Sequence, residues 1–301
     1  MVPDQSALLL ATRRTHSADG TLIAYYTTEP PHAQAPVVVL AGGLGGHHRA
    51  WSPQIAYFSD RLRFVTWDYR GLFGSARPSR DEAQSYAMTS QLQDLQAVLA
   101  AEQLERVSLV GWSMGVQVAL EAFARFPERV SSLVLLNGTA SRPLDRIGSV
   151  PGHGLLVSRL VGLAAHGGPV LAALVRSPAR RRRLAGWLLR LGVVAESVDA
   201  ELFDRLVADL GDLDLTAYAR TLQAMAEHDA SAVLPCIAVP TLVIAGERAP
   251  FTSAAAAHGM ARHIPTSEVV MVPGGGHYLC LEYPDLVNRQ MERFFAGLGL
   301  C

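Results

Sequence analysis

The chain has little of several features that mark particular protein classes. It holds only three cysteines (Cys236, Cys280 and Cys301), an odd number without the spacing of a metal site, so we expect free thiols in a reducing compartment. Its 26 basic and 27 acidic residues give a formal charge of −1, which supplies no positive field for a nucleic acid. We therefore expect a small neutral molecule as the partner, and neither a nucleic-acid partner nor a metal site.

Long uninterrupted apolar runs are also missing. Near the N-terminus, the apolar run at residues 8–11 is too short for the core of a signal peptide, and it precedes rather than follows its arginines. A longer apolar stretch at 155–175 is interrupted by Arg159, His166 and a Gly-Gly-Pro sequence, which disfavours a transmembrane helix. From these absences we expect a cytoplasmic protein without stable membrane insertion.

What is present is the pattern of an α/β protein, with 50% hydrophobic residues and 26 glycines in 301 residues. A pair of antiparallel strands at the edge of the sheet is predicted within 12–27, around a tight turn at Asp19-Gly20. Short apolar runs, typical of buried parallel strands, alternate with helix-like segments. The runs lie at 37–40, 64–67, 107–110, 132–137, 239–246 and 267–272, and the helical segments at 49–58, 90–102, 116–126, 253–262 and 284–295.

This alternation stops between residues 141 and 230, where helical periods and Gly/Pro breaks occur without a strand-like run. We predict an inserted helical cap over 141–230, which divides the α/β core into residues 1–140 and 231–301. Three interpretations of the apolar stretch at 155–175 stay open. It lines a cleft for an acyl group, lies on a lipid surface beside the basic run at 180–183, or packs against other cap helices.

The most informative stretch is Gly-Trp-Ser-Met-Gly at 111–115, between an apolar run and a helical segment. A strand, a Gly-x-Ser-x-Gly turn and a helix in this order are typical of a nucleophile elbow. Such a turn strains the backbone of Ser113 and presents its Oγ above the sheet. The next N–H, from Met114, points the same way at a helix N-terminus and is the first predicted oxyanion donor. Taken alone, the pentapeptide is equally compatible with an ordinary strand-to-helix turn.

Two other glycine-rich loops follow predicted strands, and sites in open α/β sheets gather at the carboxyl ends of strands. In the loop at 42–46, Leu44 is predicted to supply the second oxyanion N–H and Gly43 to contact the substrate. The alternative is a connection that binds nothing. In the loop at 273–277, His277 follows three glycines and is the predicted general base. Trp112 and the leucine-rich cap suggest a substrate with an apolar acyl or alkyl group.

These motifs, in this order, resemble the α/β-hydrolase superfamily over essentially the whole chain. The resemblance rests on the Asp-Tyr-Arg-Gly turn at 68–71 that ends in Gly-Ser, the elbow at 111–115 and the Gly-Gly-Gly-His-Tyr loop at 274–278. It implies an α/β-hydrolase fold, with a mostly parallel eight-stranded sheet flanked by helices. It also implies hydrolysis of an ester, thioester, lactone or amide by a serine nucleophile without a cofactor. We interpret Asp68 and Arg70 as bracing their loop rather than as catalytic residues.

One position departs from the family pattern. The catalytic acid usually stands three residues beyond the glycine that ends the penultimate strand, and here that residue is Ala249. The other position used by some members holds Asn137, whose side chain could accept a hydrogen bond from His277 without stabilising its cation. Loss of the acid lowers the turnover of serine hydrolases by about 10⁴-fold.

Three interpretations of this departure stay open. An aspartate was replaced deliberately to give an inactive or substrate-trapping variant, or Glu247 serves as a substitute acid. In the third, the acid was lost naturally, which leaves a slow enzyme or a non-catalytic ligand-binding protein on the hydrolase fold. Acyl transfer to an acceptor other than water is a further alternative to hydrolysis.

Overall fold

Eight strands form one sheet in the computed structural model, which describes residues 10–142, 183, 186, 194, 197–249, 252 and 254–301. The order across the sheet is β1-β2-β4-β3-β5-β6-β7-β8. The pairs β1/β2 and β2/β4 are antiparallel, and every other neighbouring pair is parallel. The strands are β1 (Leu10–His16), β2 (Leu22–Thr28), β3 (Val37–Ala41), β4 (Arg63–Trp67), β5 (Val107–Trp112), β6 (Val130–Leu136), β7 (Thr241–Gly246) and β8 (Ser267–Val272).

The first hairpin corrects one prediction about the edge of the sheet. The antiparallel pair around Asp19 is present, but only β1 lies at an edge, since β2 pairs with β1 on one side and β4 on the other. Because it has a neighbour on each side, β2 is buried over nearly its whole length, whereas β1 is mostly exposed. The prediction of two edge strands was therefore wrong for β2.

Helices cover both faces of the sheet. They are α1 (Ser52–Phe58), α2 (Met88–Ala101), α3 (Met114–Arg125), α4 (Ala200–Asp209), α5 (Leu215–Glu227), α6 (Ala254–His263), α7 (Leu279–Glu282) and α8 (Pro284–Gly297). Apolar side chains of α2, α3 and α6 share one buried cluster with β3 and β5. Those of α1 and α8 form a second cluster against alternate residues of the same strands. Because side chains alternate across a strand, each parallel strand contributes to both clusters, which explains its apolar sequence.

The described part of the predicted cap is helical. Helices α4 and α5 are capped at their N-termini by Asp199 and Asp214, whose carboxylates accept hydrogen bonds from N–H groups of the first turn. The apolar stretch at 155–175 lies outside the described residues, so the cap boundaries stay a prediction.

The three cysteines are free, as expected. None of the described helices is both long enough and apolar enough to cross a membrane.

The turn after β4 is braced in the way that the sequence predicts. Arg70 is fully buried and donates to the carboxylates of Asp94 and Asp19, at 2.9 and 2.8 Å. Asp68 accepts a hydrogen bond from the backbone N–H of Gly74 at 3.0 Å. These contacts confirm that both residues hold the loop.

Candidate active site

Ser113 stands alone between strand β5 and helix α3, in a backbone conformation that side chains rarely adopt. Its φ is +56° and its ψ is −115°, a strained region that persists only where the surroundings enforce it. The backbone is fixed by a hydrogen bond from Ser113 N–H to the carbonyl of Leu136, at 3.0 Å. The strain is therefore maintained by the sheet and the helix on either side of the serine.

The two glycines of the elbow allow strand and helix to meet at this corner. A Cβ added to Gly115 would lie 2.0 Å from the carbonyl oxygen of Ala41 on β3. A Cβ added to Gly111 would lie 2.3 Å from the carbonyl oxygen of Gly115. Both distances are far below any van der Waals contact, so only glycine fits at either position.

The loop after β8 brings an imidazole to this serine. The Nε2 atom of His277 lies 3.0 Å from Ser113 Oγ, within hydrogen-bond distance, although the two residues are 164 positions apart. The side chain of His277 is buried, and burial lowers the pKa of its imidazole to about 4. The ring is therefore neutral at neutral pH, which is the form that accepts a proton from a hydroxyl.

Side chains at the carboxyl ends of two neighbouring strands, β5 and β6, hold the backbone of the His277 loop. The indole N–H of Trp112 donates to the carbonyl of His277 at 3.0 Å. The buried amide of Asn137 donates to the carbonyls of Gly276 and His277, at 2.8 and 3.0 Å, and its Oδ1 accepts from Gly246 N–H at 2.8 Å. Asn137 therefore contacts the main chain of His277 and not its ring, unlike the contact considered from the sequence.

A carboxylate from α7 holds the same loop from the other side. The two oxygens of Glu282 accept hydrogen bonds from the N–H groups of Gly276 and Tyr278, at 2.6 and 3.0 Å. These N–H groups flank His277 in the chain, so Glu282 fixes the peptide on each side of the imidazole. We did not predict a role for Glu282 from the sequence. The only available signal was a glutamate five positions after a candidate base.

The glycine loop at 42–46 lies directly against the elbow. A Cβ added to Gly43 would lie 3.3 Å from the Cβ of Ser113. The N–H of Leu44 donates to no described residue. Met114 is the first residue of α3, so its N–H has no partner within the helix. The two predicted oxyanion donors are thus available, and the loop that carries one of them touches the serine.

The predicted acid position presents a methyl group. Ala249 is buried on the loop after β7, and its neighbour Arg248 donates its backbone N–H to the carbonyl of Gly275 at 2.9 Å. The loop of Ala249 therefore lies against the loop that leads to His277. Glu247 is exposed, and within the described chain its side chain makes no hydrogen bond or ion pair. The structure does not bring Glu247 to the imidazole.

The comparison with protein families agrees with this geometry. The model of the α/β hydrolase fold family matches residues 36–284. The chain belongs to the α/β hydrolase fold family. That finding and the eight-stranded sheet confirm the resemblance and the fold that the motifs predicted.

Relatives of this hydrolase are themselves named as hydrolases. It is 28% identical over 268 residues to a protein from a Caulobacter species named putative carbamate hydrolase RutD, over 89% of this chain and 93% of that protein. It is 27% identical over 264 residues to 3-oxoadipate enol-lactonase 2 of Acinetobacter baylyi, over 86% of this chain and 88% of that one. The solved structure of the enol-lactonase from Burkholderia xenovorans shares the fold, with a TM-score of 0.76 at 23% identity, covering 94% of this chain and 100% of that chain.

Two described helices of the predicted cap, α4 and α5, contact the glycine loop or the residues that follow it. On α5, the ring of Tyr218 lies 2.9 Å from the position that a Cβ at Gly45 would occupy. At the end of α4, both carboxylate oxygens of Asp209 accept from Arg49, at 2.9 and 3.1 Å. Helix α5, in the predicted cap, therefore contacts the loop that carries Leu44.

One group of described residues in the hydrolase has potential metal-ligand atoms that all lie within 4.8 Å of one another. It consists of His47, His48 and Asp68, of which the two histidines directly follow the glycine loop.

Trp112 and Gly43, both predicted to contact substrate, lie within the packed wall of the site. The indole of Trp112 is buried and packs edge-to-face on Trp51. Its ring carbons lie 3.2 Å from the position of a Cβ at Gly43. Trp112 therefore packs against the glycine loop and helps to position the loops around Ser113.

Proposed function

We propose that this protein is a serine hydrolase that cleaves an ester, thioester or lactone with an apolar acyl or alkyl group. The observation that carries the proposal is the 3.0 Å contact between Ser113 Oγ and His277 Nε2 at a strained strand-to-helix corner. A hydroxyl and a neutral imidazole in this geometry form a nucleophile and its base. The relatives named as a carbamate hydrolase and an enol-lactonase support acyl-type substrates.

The proposed reaction proceeds through an acyl-enzyme. Ser113 Oγ attacks the carbonyl carbon and gives its proton to His277 Nε2, while the carbonyl oxygen becomes an oxyanion between the N–H groups of Leu44 and Met114. The C–O or C–S bond then breaks, and the imidazolium returns the proton to the leaving group. Water, activated by His277, attacks the acyl carbon, and the acid product leaves with Ser113 restored.

The proposed enzyme is slow because no carboxylate stands at position 249. The imidazolium formed in each half-reaction is buried, and burial already lowers the pKa of His277 to about 4. In serine hydrolases the orienting carboxylate fixes the tautomer and stabilises this cation, and its loss costs about 10⁴-fold in turnover. The oxyanion donors and the nucleophile do not depend on it, so a residual rate should survive.

The three free cysteines favour a reducing compartment, and we place the enzyme in the cytoplasm.

Hydrolysis of p-nitrophenyl esters of increasing chain length tests the proposal. The chain itself should be slow but measurably faster than its Ser113→Ala variant, and Ala249→Asp should be faster by orders of magnitude. An optimum at butyrate or longer would support an apolar acyl pocket. Equal rates for the chain, Ser113→Ala and Ala249→Asp, with retained ester binding, would instead support a ligand-binding protein without catalysis. Product analysis with an added alcohol acceptor would separate acyl transfer from hydrolysis.

A further inference from the structure

A second cluster of chemically active side chains lies where the glycine loop leads into α1. His47 and His48 precede that helix, and Asp68 follows β4, the neighbour of β3 in the sheet. One ring nitrogen of each histidine and one carboxylate oxygen of Asp68 all lie within 4.8 Å of one another. Neither Ser113 nor His277 belongs to this group, and the proposed reaction does not use it.

The two imidazoles have buried nitrogen atoms that the described structure does not satisfy. The Nδ1 atoms of His47 and His48 are shielded from solvent and make no hydrogen bond to any described residue. Buried polar atoms in proteins are normally paired, so two unsatisfied nitrogens side by side call for a physical reason. The rings stack on each other with centroids 3.8 Å apart, and His48 stacks on Tyr26 at the same distance. Stacking explains how the rings pack, but it does not supply hydrogen-bond partners for their Nδ1 atoms.

The cluster contains one carboxylate that is not paired with a basic side chain of the described residues, that of Asp68. Asp68 is buried, and its Oδ2 accepts hydrogen bonds from the hydroxyl of Tyr26 and the N–H of Gly74, at 2.7 and 3.0 Å. Within the described chain no basic side chain forms an ion pair with Asp68. The carboxylate of Asp209 lies 3.6 Å from Nδ1 of His47, but both of its oxygens accept hydrogen bonds from Arg49. A buried carboxylate without a basic partner, next to two imidazoles, is a favourable setting for a metal ion.

We propose that His47, His48 and Asp68 bind one divalent transition-metal ion of the zinc type. Two imidazole nitrogens and one carboxylate oxygen are a donor set that zinc accepts, whereas magnesium and calcium favour oxygen ligands. Zinc–ligand bonds of about 2.0–2.2 Å require neighbouring ligand atoms to lie about 3.3 Å apart. The donor atoms would close on the ion by side-chain rotation, with a water molecule as fourth ligand.

The position of the site gives the ion a structural role next to the proposed catalytic machinery. His47 directly follows Gly46, the last residue of the glycine loop at 42–46. The same loop carries the N–H of Leu44. An ion shared with Asp68 would tie this loop to the end of β4. Metal binding does not depend on the hydrolase proposal, because the ligands are separate from the nucleophile and its base.

Equilibrium dialysis of metal-free protein against micromolar Zn²⁺, with the metal measured by mass spectrometry, tests the site. We expect one ion per chain, with affinity at least tenfold weaker in His47→Gln and in His48→Gln. The matched control is His258→Gln, because His258 is exposed on α6, and it should bind as the unaltered chain does. Co²⁺ should give the intense visible absorption of a tetrahedral nitrogen–oxygen site. Absence of stoichiometric metal, or unchanged affinity in the two loop variants, would overturn the proposal.

A measurement on the unaltered chain covers the case in which the variants do not fold. Diethyl pyrocarbonate modifies accessible imidazole nitrogens, and peptide mapping reports the rate at each histidine. Saturating Zn²⁺ should slow modification of His47 and His48 at least tenfold and leave His258 unaffected. Equal rates with and without Zn²⁺ at the two loop histidines would contradict the site.

Discussion

Trp112 donates its indole N–H to the backbone carbonyl of His277 at 3.0 Å, so the strand that carries the nucleophile also holds the loop that carries the base. The two residues are 165 positions apart in the sequence. Because the indole belongs to the residue directly before Ser113, any shift of the elbow is transmitted to the His277 loop. Trp112, which the sequence suggested as a substrate contact, therefore also positions the His277 loop.

The Trp112→Phe variant should lower kcat with little change in KM. It removes one buried hydrogen bond, worth about 1 kcal/mol and therefore about a fivefold loss of rate if the loop relaxes away from Ser113. The comparison is Trp51→Phe, which removes similar bulk from the same aromatic cluster but makes no contact with His277. Steady-state kinetics on one p-nitrophenyl ester checks both. If the two variants lose kcat equally, the hydrogen bond does not position the base.

Ala249→Asp should raise kcat by up to about 10⁴-fold and move the acidic limb of its pH profile upward. The base acts as the neutral imidazole, so activity rises with pH through the pKa of His277, which burial lowers to about 4. A carboxylate beside the ring stabilises the cation and raises that pKa, so half-maximal activity is expected at higher pH in the variant.

The control for the gain in kcat and the shift of the acidic limb is Ala249→Asn. Asparagine has the same shape as aspartate but carries no charge. It should show neither the gain in kcat nor the shift of the acidic limb. Should Ala249→Asp bring no gain while Glu247→Gln abolishes the residual rate, Glu247 would be the acid and the exposed position of its side chain would not represent the reactive state.

Asn137→Asp should lower both stability and kcat. The substitution keeps the shape of the side chain but removes the amide protons given to the carbonyls of Gly276 and His277. Because this side chain faces the main chain of His277 and not its ring, the new carboxylate does not replace the missing acid. Leaving buried carbonyls unsatisfied costs about 1–3 kcal/mol. Asn288→Asp is the matched variant, because Asn288 is also buried and donates to Pro53 on the far side of the sheet from α3. Thermal melts should fall in both variants, and only Asn137→Asp should lose kcat.

Arg70→Gln should destabilise the fold without a specific effect on the reaction. The guanidinium is fully buried and pairs with Asp94 and Asp19, and breaking a buried ion pair costs about 3–5 kcal/mol. Arg293→Gln, at an ion pair that is mostly exposed, should cost less than about 1 kcal/mol. Urea unfolding measures both. A loss below about 1 kcal/mol for Arg70→Gln would show that the turn after β4 is held by other contacts.

Much of the core could be predicted from the sequence because local pattern and burial agree there. The predicted strand at 267–272 coincides with β8, and the predicted helix at 284–295 lies within α8. The boundaries were less accurate at the elbow, where α3 begins at Met114 and not at Val116. Only Ser113 separates β5 from α3, so Met114 and Gly115, which were assigned to the turn, already belong to the helix. The short helix α7 was not predicted, since four residues carry no helical period.

Some residues of the site could also be predicted from local sequence patterns, whereas others depend on contacts between distant parts of the chain. Ser113 and His277 could be placed together because each follows a strand of one parallel sheet, and the carboxyl ends of those strands share an edge. Asn137 and Glu282 could not be assigned as loop supports, because their partners are backbone groups reached only through tertiary packing. The grouping of His47 and His48 with Asp68 depends on the pairing of β3 with β4, which no local pattern in the sequence indicates.

Fluorophosphonate labelling of Ser113 tests the central claim most directly, since the reagent reacts with a serine that a base has activated. Intact-protein mass spectrometry should show one added phosphonyl group, mapped by peptide analysis to Ser113, and none on the Ser113→Ala variant. The labelling rate should fall by about 10²-fold or more in His277→Ala. No label on Ser113, or the same rate with and without the imidazole of His277, would contradict the account.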